Sequence, residues 1–358
     1  MSTSITSSPA VSRRATFAAL AVVVVVVAVG LSWAKWLPYA QRAGAVAASG
    51  SWKGSSILTT GAGEDPFVRA WDFTLTYGAA VWKALLVALV VAAVVDVLVP
   101  RRRLVRALGR RTPVGGATAG GLASLPGMMC TCCTAPLAVT MRRAGVPLPA
   151  ALAFWLGNPV LNPAVLVFLA LLAPPSWVAV RLGVGILLVV GFSALVGVLV
   201  SRRGAREGDV SAAREAVEAA DQPFRWGEVP RRLLSRFGRL AVVLVPEYLV
   251  VVFLVGLVGP PLGDLLGHGG ALAVLLAALI GTVLVLPTAG EIPILLGLAA
   301  AGASAGVLGA LLVALPAVSL PSAVMVGRAL GWRTTAATAG ATVVCALVAG
   351  GVLLLVAA

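Results

Sequence analysis

Seven long apolar runs dominate the chain: Ala15–Leu37, Leu75–Val99, Pro147–Ala173, Ser176–Val200, Arg239–Val258, Ala305–Val326 and Thr335–Val356. Each approaches or exceeds the roughly 20 helical residues needed to cross about 30 Å of hydrocarbon. In hydrocarbon every backbone N–H and C=O must be paired internally, which leaves helices or closed barrels. Unbroken apolar runs of this length read as helices. With 60% hydrophobic residues, 11% charged residues and a mean hydropathy of +1.03, the natural solvent is lipid. The expected class is an all-α polytopic membrane protein.

Charge gives that protein an orientation. The net charge is +14, and in a water-soluble chain such a balance would suggest nucleic acid. Here the arginines lie in clusters between apolar runs, as cytoplasmic loops are marked, so no nucleic-acid partner is expected. Arg13 and Arg14, Arg101 to Arg111, Arg202 to Arg239, and Arg328 with Arg333 are all placed inside. A twin-arginine export signal is conceivable at Arg13-Arg14, but the many later spans favour an uncleaved first helix with a cytoplasmic N-terminus in the inner (plasma) membrane. Four sections follow. Residues 1–71 hold the N-terminal helix and an outside loop from Pro38 to Trp71, and 72–200 a first half of the apolar bundle. Residues 201–238 form a charged cytoplasmic linker with some helix at Ala212–Ala220, and 239–358 form a second half.

Two more apolar segments are interrupted, Gly116–Met141 and Ala271–Gly302. They share a spacing. Pro136, Gly145 and Pro159 recur as Pro293, Gly302 and Pro316, each 157 residues later. The 25-residue stretch from Ala135 to Pro159 aligns without a gap on Ile292 to Pro316. Positive-inside counting requires an even number of crossings between Arg111 and Arg202. Two spans already supply that number, so the first broken segment enters and leaves on one side. The second half yields the mirror image. The expectation is two inverted-topology repeats with broken or re-entrant helices, plus an extra N-terminal helix. In such architectures discontinuous helices meet near the midplane and form the solute site.

The breaks carry the chemistry. The first reads LPGMMCTCCTAP and holds Cys130, Cys132 and Cys133, three of the chain's four cysteines. Thiolates select soft species such as trivalent arsenic, Cu(I) or zinc over hard cations. Pro126, Gly127 and Pro136 are expected to break the helix there, so that neighbouring sulfurs can converge on one soft centre. The plainer reading is that cysteine packs well in a tight interior, and Cys345, alone in the last helix, is read that way. The second break carries Glu291. An ionisable residue inside a membrane segment suggests function, here proton coupling or orientation of a cationic group; equally, the acid would cap the helix that follows. Glu247 is a second proton-relay candidate. Asn158 and Asn162, each before a proline, are candidates to line a polar path or to bond neighbouring helices. Asp96 should reach polar surroundings at the cytoplasmic end, and Lys83 should snorkel. Arg181 is expected as an interfacial anchor, as are Trp33, Trp36, Trp71, Trp177 and Trp332. His268 is expected in a solvated outer loop.

Taken in order, these motifs resemble a family of predicted permeases that includes YraQ-like proteins and ArsP-type trivalent organoarsenical efflux permeases. Its Cys-Ser-Cys-Gly-x-x-Pro segment is matched by Cys130-Thr131-Cys132-Cys133-Thr134-Ala135-Pro136. Gly145, Ala151-Leu152-Ala153-Phe154, Asn158-Pro159 and Asn162-Pro163 follow, then Pro287, Glu291, Pro293, Gly302, Pro316 and Pro321-Ser322. Thr131 stands where the family has serine, and Cys133 where it has glycine. The resemblance implies a permease, not an enzyme, without a cofactor. The expected cargo is a small thiophilic solute held by Cys130, Cys132 and Cys133 with Asn158, Asn162 and Glu291. Two rivals stay open: a membrane thiol-disulfide redox carrier, and a permease for another small solute with structural cysteines.

Overall fold

In the computed structural model, residues 13–52, 65–204, 226–258 and 270–357 are described. Among them there are helices and no strands. The first helix, α1 (Arg13–Leu31), continues through a π-helical turn at Ser32–Trp36 into α2 (Leu37–Ser49). α3 (Pro66–Leu98), α4 (Arg101–Leu108), α5 (Pro113–Ser124), α6 (Thr131–Arg143), α7 (Leu148–Val160), α8 (Pro163–Leu172), α9 (Pro175–Ile186) and α10 (Ser193–Gly204) follow. After residues 205–225 come α11 (Val229–Val258), α12 (Ala271–Val283), α13 (Glu291–Ala300), α14 (Ala305–Ala317), α15 (Leu320–Leu330) and α16 (Trp332–Ala357).

Six helices or joined helices are long and apolar enough to span: Phe17–Ser49, Pro66–Leu98, Leu148–Leu172, Pro175–Val200, Val229–Leu257 and Trp332–Val356. A seventh passes if α14 and α15, bent by 50°, count as one. The chain is therefore a multi-pass helical membrane protein in a bilayer environment. These spans match the seven apolar runs, with corrections at their ends. The outside loop expected from Pro38 is helical to Ser49, and α3 begins five residues before Trp71. Pro38 leaves the Ala34 carbonyl without its usual donor, and the wider π turn just before it absorbs that defect without ending the helix. The linker is shorter than expected, since α11 begins at Val229. His268 and Ala212–Ala220 lie outside the described residues.

Close packing here depends on small residues, as it does between membrane helices generally. α5 lies against α7 so tightly that a Cβ on Gly120 would fall 2.1 Å from the Ala150 carbonyl oxygen. α14 and α16 meet the same way, with Gly350 against the Gly306 carbonyl and Gly309 against that of Ala349. Cys345 is wholly buried in α16, as a packing residue should be.

Helix bounds recur at the spacing found in the sequence. α7 and α14 begin at 148 and 305 and end at 160 and 317. α8 and α15 start at 163 and 320, α9 and α16 at 175 and 332, and α6 and α13 end at 143 and 300. Gly145 and Gly302 both take left-handed backbone, with φ of 94° and 84°. That conformation strongly favours glycine, so the two turns share one geometry as well as one residue.

Candidate functional site

The first break lies between α5 and α6. A single 3-10 turn at Leu125–Gly127 leads to Met128, at φ 48°, and to Cys130 in extended backbone. Cys130 caps α6, and Cys132 and Cys133 sit in its first turn. Two expectations are corrected. Pro136 lies inside α6 and does not break it, and only Cys130 is outside the helix. The sulfurs converge because the capping side chain folds back over the first turn. Cys130 Sγ lies 3.0 Å from Cys132 Sγ and 3.2 Å from Cys133 Sγ. All three sulfurs fall within 4.8 Å of one another, and all are free thiols.

Prolines expose carbonyls, and specific side chains then take them. Pro159 denies the Trp155 carbonyl its helical donor, and Thr134 Oγ1 donates to it instead at 3.2 Å. Trp155 Nε1 in turn donates to the Thr131 carbonyl at 3.2 Å. Pro163 likewise frees the Pro159 carbonyl, which accepts from Arg181 Nη2 at 2.9 Å. Arg181 Nε reaches the Val160 carbonyl at 3.1 Å. The same Nη2 pairs with Glu291 Oε1 at 2.9 Å.

Arg181 is thus no interfacial anchor. It is wholly buried, closing the C-terminal carbonyls of α7, where a cation is favoured. Its partner Glu291 is the first residue of α13, where an anion is favoured for the same reason. Arg181 Nη1 is buried with no hydrogen-bond partner among the described residues.

The second break runs from Leu284 to Gly290, closed by a turn in which Gly290 N donates to the Pro287 carbonyl at 2.8 Å and Ala289 has φ 68°. The two breaks meet. Cys130, Thr131, Pro159, Leu286, Pro287, Thr288, Glu291, Leu315, Pro316 and Ser319 line one narrow space between them, with a cavity of ≈ 10 Å³, room for about one water. Cys130 and Pro287, Thr131 and Thr288, and Pro159 and Pro316 are positions 157 apart. Thr131 Oγ1 and Ser319 Oγ, at 2.9 Å, join the two halves directly.

Of the residues singled out in the sequence, Cys130 and Glu291 line this space, and Cys132 and Cys133 lie beside Cys130. Asn158 and Asn162 do not line it. Asn158 is inside α7, donating to the Phe154 carbonyl at 3.0 Å, with Oδ1 packed on Gly127. Asn162 caps α8, accepting from Ala164 N at 3.0 Å. Glu247 pairs with Arg328 at 3.0 Å, away from the space. Asp96 meets Arg236 at 3.1 Å, and Lys83 lies over the rings of Trp33 and Trp82. Trp177 is buried, and Trp36 donates to the Pro126 carbonyl at 2.9 Å, so neither is a free interfacial ring.

Three residues escape the sequence reading. Lys35, only 8% exposed, donates to Thr288 Oγ1 at 3.1 Å and to Tyr39 Oη at 3.2 Å. Tyr77 and Tyr248 lie together, ring centroids 5.8 Å apart, with all three thiols among their electrostatic neighbours. The buried hydroxyls of both have no partner among the described residues. The usable signal for Lys35 was a lone cation in an otherwise neutral span.

A membrane bundle whose broken helices meet at a buried polar centre defines the class: a multi-pass helical protein with a narrow polar space in its own core. The chain belongs to the predicted permease family ArsP_1, whose model matches residues 67–355. It is 37% identical over 337 residues to the UPF0718 protein YraQ of Escherichia coli (strain K12), covering 92% of this chain and 93% of that protein. No solved structure matches it. It is a membrane permease.

Proposed function

We propose that this permease exports a small thiophilic solute, such as a trivalent organoarsenical, from a site where its two broken helices meet. One observation carries the reading: three free thiols converge, and Cys130 opens onto the space between the breaks. A monosubstituted trivalent arsenical, R–As(OH)2, would exchange both hydroxyls for two of the thiols. Two As–S bonds form, two As–O bonds break, and two waters leave with the thiol protons. Cys132 or Cys133 supplies the second sulfur.

In this proposal the halves 72–200 and 239–358 are inverted repeats, and the centre opens alternately to each side. The recurrence of helix bounds supports it. Residues 1–71 add the N-terminal helix, whose start is cytoplasmic in the inner membrane, and 201–238 the linker. Glu291 is the proton-coupling candidate, because protonating it would release Arg181; Glu247, held by Arg328, is the second. Asn158 and Asn162 would take part only once the breaks move. The test is to replace Cys130, Cys132 and Cys133 with serine and follow accumulation of a trivalent phenylarsenical in everted membrane vesicles. Accumulation should fall to the level of empty membranes; unchanged accumulation sinks the thiol-ligand role and leaves a permease of another solute with structural cysteines.

A thiol-disulfide carrier is a second reading. It is favoured by Cys130 and Cys133, which flank two residues at a helix N-terminus with sulfurs 3.2 Å apart, an arrangement known from redox dithiols. Against it, the positions 157 residues on are Pro287, Ala289 and Gly290, so the opposite break has no thiol to receive electrons. A mixed disulfide trapped with a soluble partner would reverse that judgement.

A further inference from the structure

Among the described residues, the centre holds two buried cations and one carboxylate. Arg181 and Lys35 are both buried there, and Glu291 is committed to Arg181. Lys35 has two acceptors, both neutral hydroxyls, and no carboxylate partner among the described residues. Its ammonium lies 5.3 Å from the Tyr39 ring centroid, and Cys130 and Cys133 are among its electrostatic neighbours. A buried cation without a counter-charge is costly, so a chain that keeps one inside a membrane helix has a use for it.

The local backbone points the same way. Lys35 sits in the π-helical turn at Ser32–Trp36, a distortion often found at functional sites. From that turn Lys35 reaches the second break at Thr288, while Trp36 reaches the first at the Pro126 carbonyl. The N-terminal helix is therefore fastened to both sides of the space. Resting on the thiophile reading above, consider the loaded site. Sulfurs bonded to a trivalent centre are neutral, so they cannot balance Lys35. The balancing charge has to arrive with the solute.

We infer that the N-terminal helix, through Lys35, makes this permease selective for thiophilic solutes that also carry an anionic group. Selectivity then has two parts: the thiols choose the soft atom, and Lys35 chooses the charge of what is attached to it.

The test uses the full-length protein in everted vesicles and three trivalent phenylarsenicals: the neutral parent, a para-carboxylate and a para-trimethylammonium derivative. Wild type should show about a tenfold lower half-saturation for the carboxylate than for the parent, the scale expected of one partly buried charge pair, and the poorest for the cation. Lys35→Gln should erase the order while still transporting the neutral parent, which also reports that it is folded; Lys35→Arg should restore it. No charge preference in wild type overturns the inference without needing any variant, and a preference unchanged in Lys35→Gln overturns it too. If none of the three is transported, the thiophile reading has failed and this inference falls with it.

Discussion

At the residue scale, Arg181 shows how a membrane interior uses a charge. Its guanidinium satisfies the Pro159 carbonyl that Pro163 leaves exposed, the Val160 carbonyl, and one carboxylate at the start of a helix. Removing Glu291 alone would leave a buried cation, at a cost of about 3–5 kcal/mol. Glu291→Gln should therefore lower the melting temperature in detergent markedly, followed by tryptophan fluorescence. The Arg181→Met/Glu291→Gln pair should lose less than the two single changes added together. Additive losses would mean the pair is not coupled. Of this, only the place of Glu291 at a helix start was visible in the linear sequence. Hydropathy places Arg181 near a helix end, where an exposed interface is the ordinary expectation. Depth along a helix says nothing about which face a neighbour covers, and the covering residue is 110 positions away. Cys130 and Glu291 were legible, because each is chemically out of place in its own segment.

At the element scale, the helix pairs are held by glycines that admit backbone against backbone. Gly120→Val should cost about 3 kcal/mol by overpacking, because the new Cβ would strike the Ala150 carbonyl. Gly340→Ala, in an open position on α16, should be neutral or slightly stabilising. Melting temperatures of the two variants check this; equal effects would remove the close approach as an explanation of α5–α7 packing. Span positions were readable because length and hydropathy report them directly. Element ends were not. Pro38 looked like a stop, and only the π turn ahead of it lets the helix continue to Ser49. Pro136 looked like a break, and the break lies a few residues earlier, at the left-handed Met128.

At the scale of the whole molecule, the two halves share a register but not a chemistry. Position for position, Cys130, Cys132 and Cys133 fall on Pro287, Ala289 and Gly290, and Thr134 falls on Glu291. Inversion makes a clear prediction. Arg143 and Ala300 are equivalent, exposed positions, so inverted copies put them on opposite sides. Arg143→Cys should react with a membrane-impermeant maleimide only from the cytoplasmic face, and Ala300→Cys only from the outer face. Labelling of both from one side would rule out the inverted arrangement. The recurrence at 157 residues was legible because Pro and Gly sit at turns whose geometry few other residues can supply. The N-terminal helix looked like an addition to this pair, since nothing in its sequence announced the contacts that Lys35 and Trp36 make with both breaks. The narrowness of the centre also bears on protons. A chamber holding about one water interrupts any chain of hydrogen-bonded waters along which protons could hop. In this conformation the space between the breaks therefore offers protons no continuous water wire.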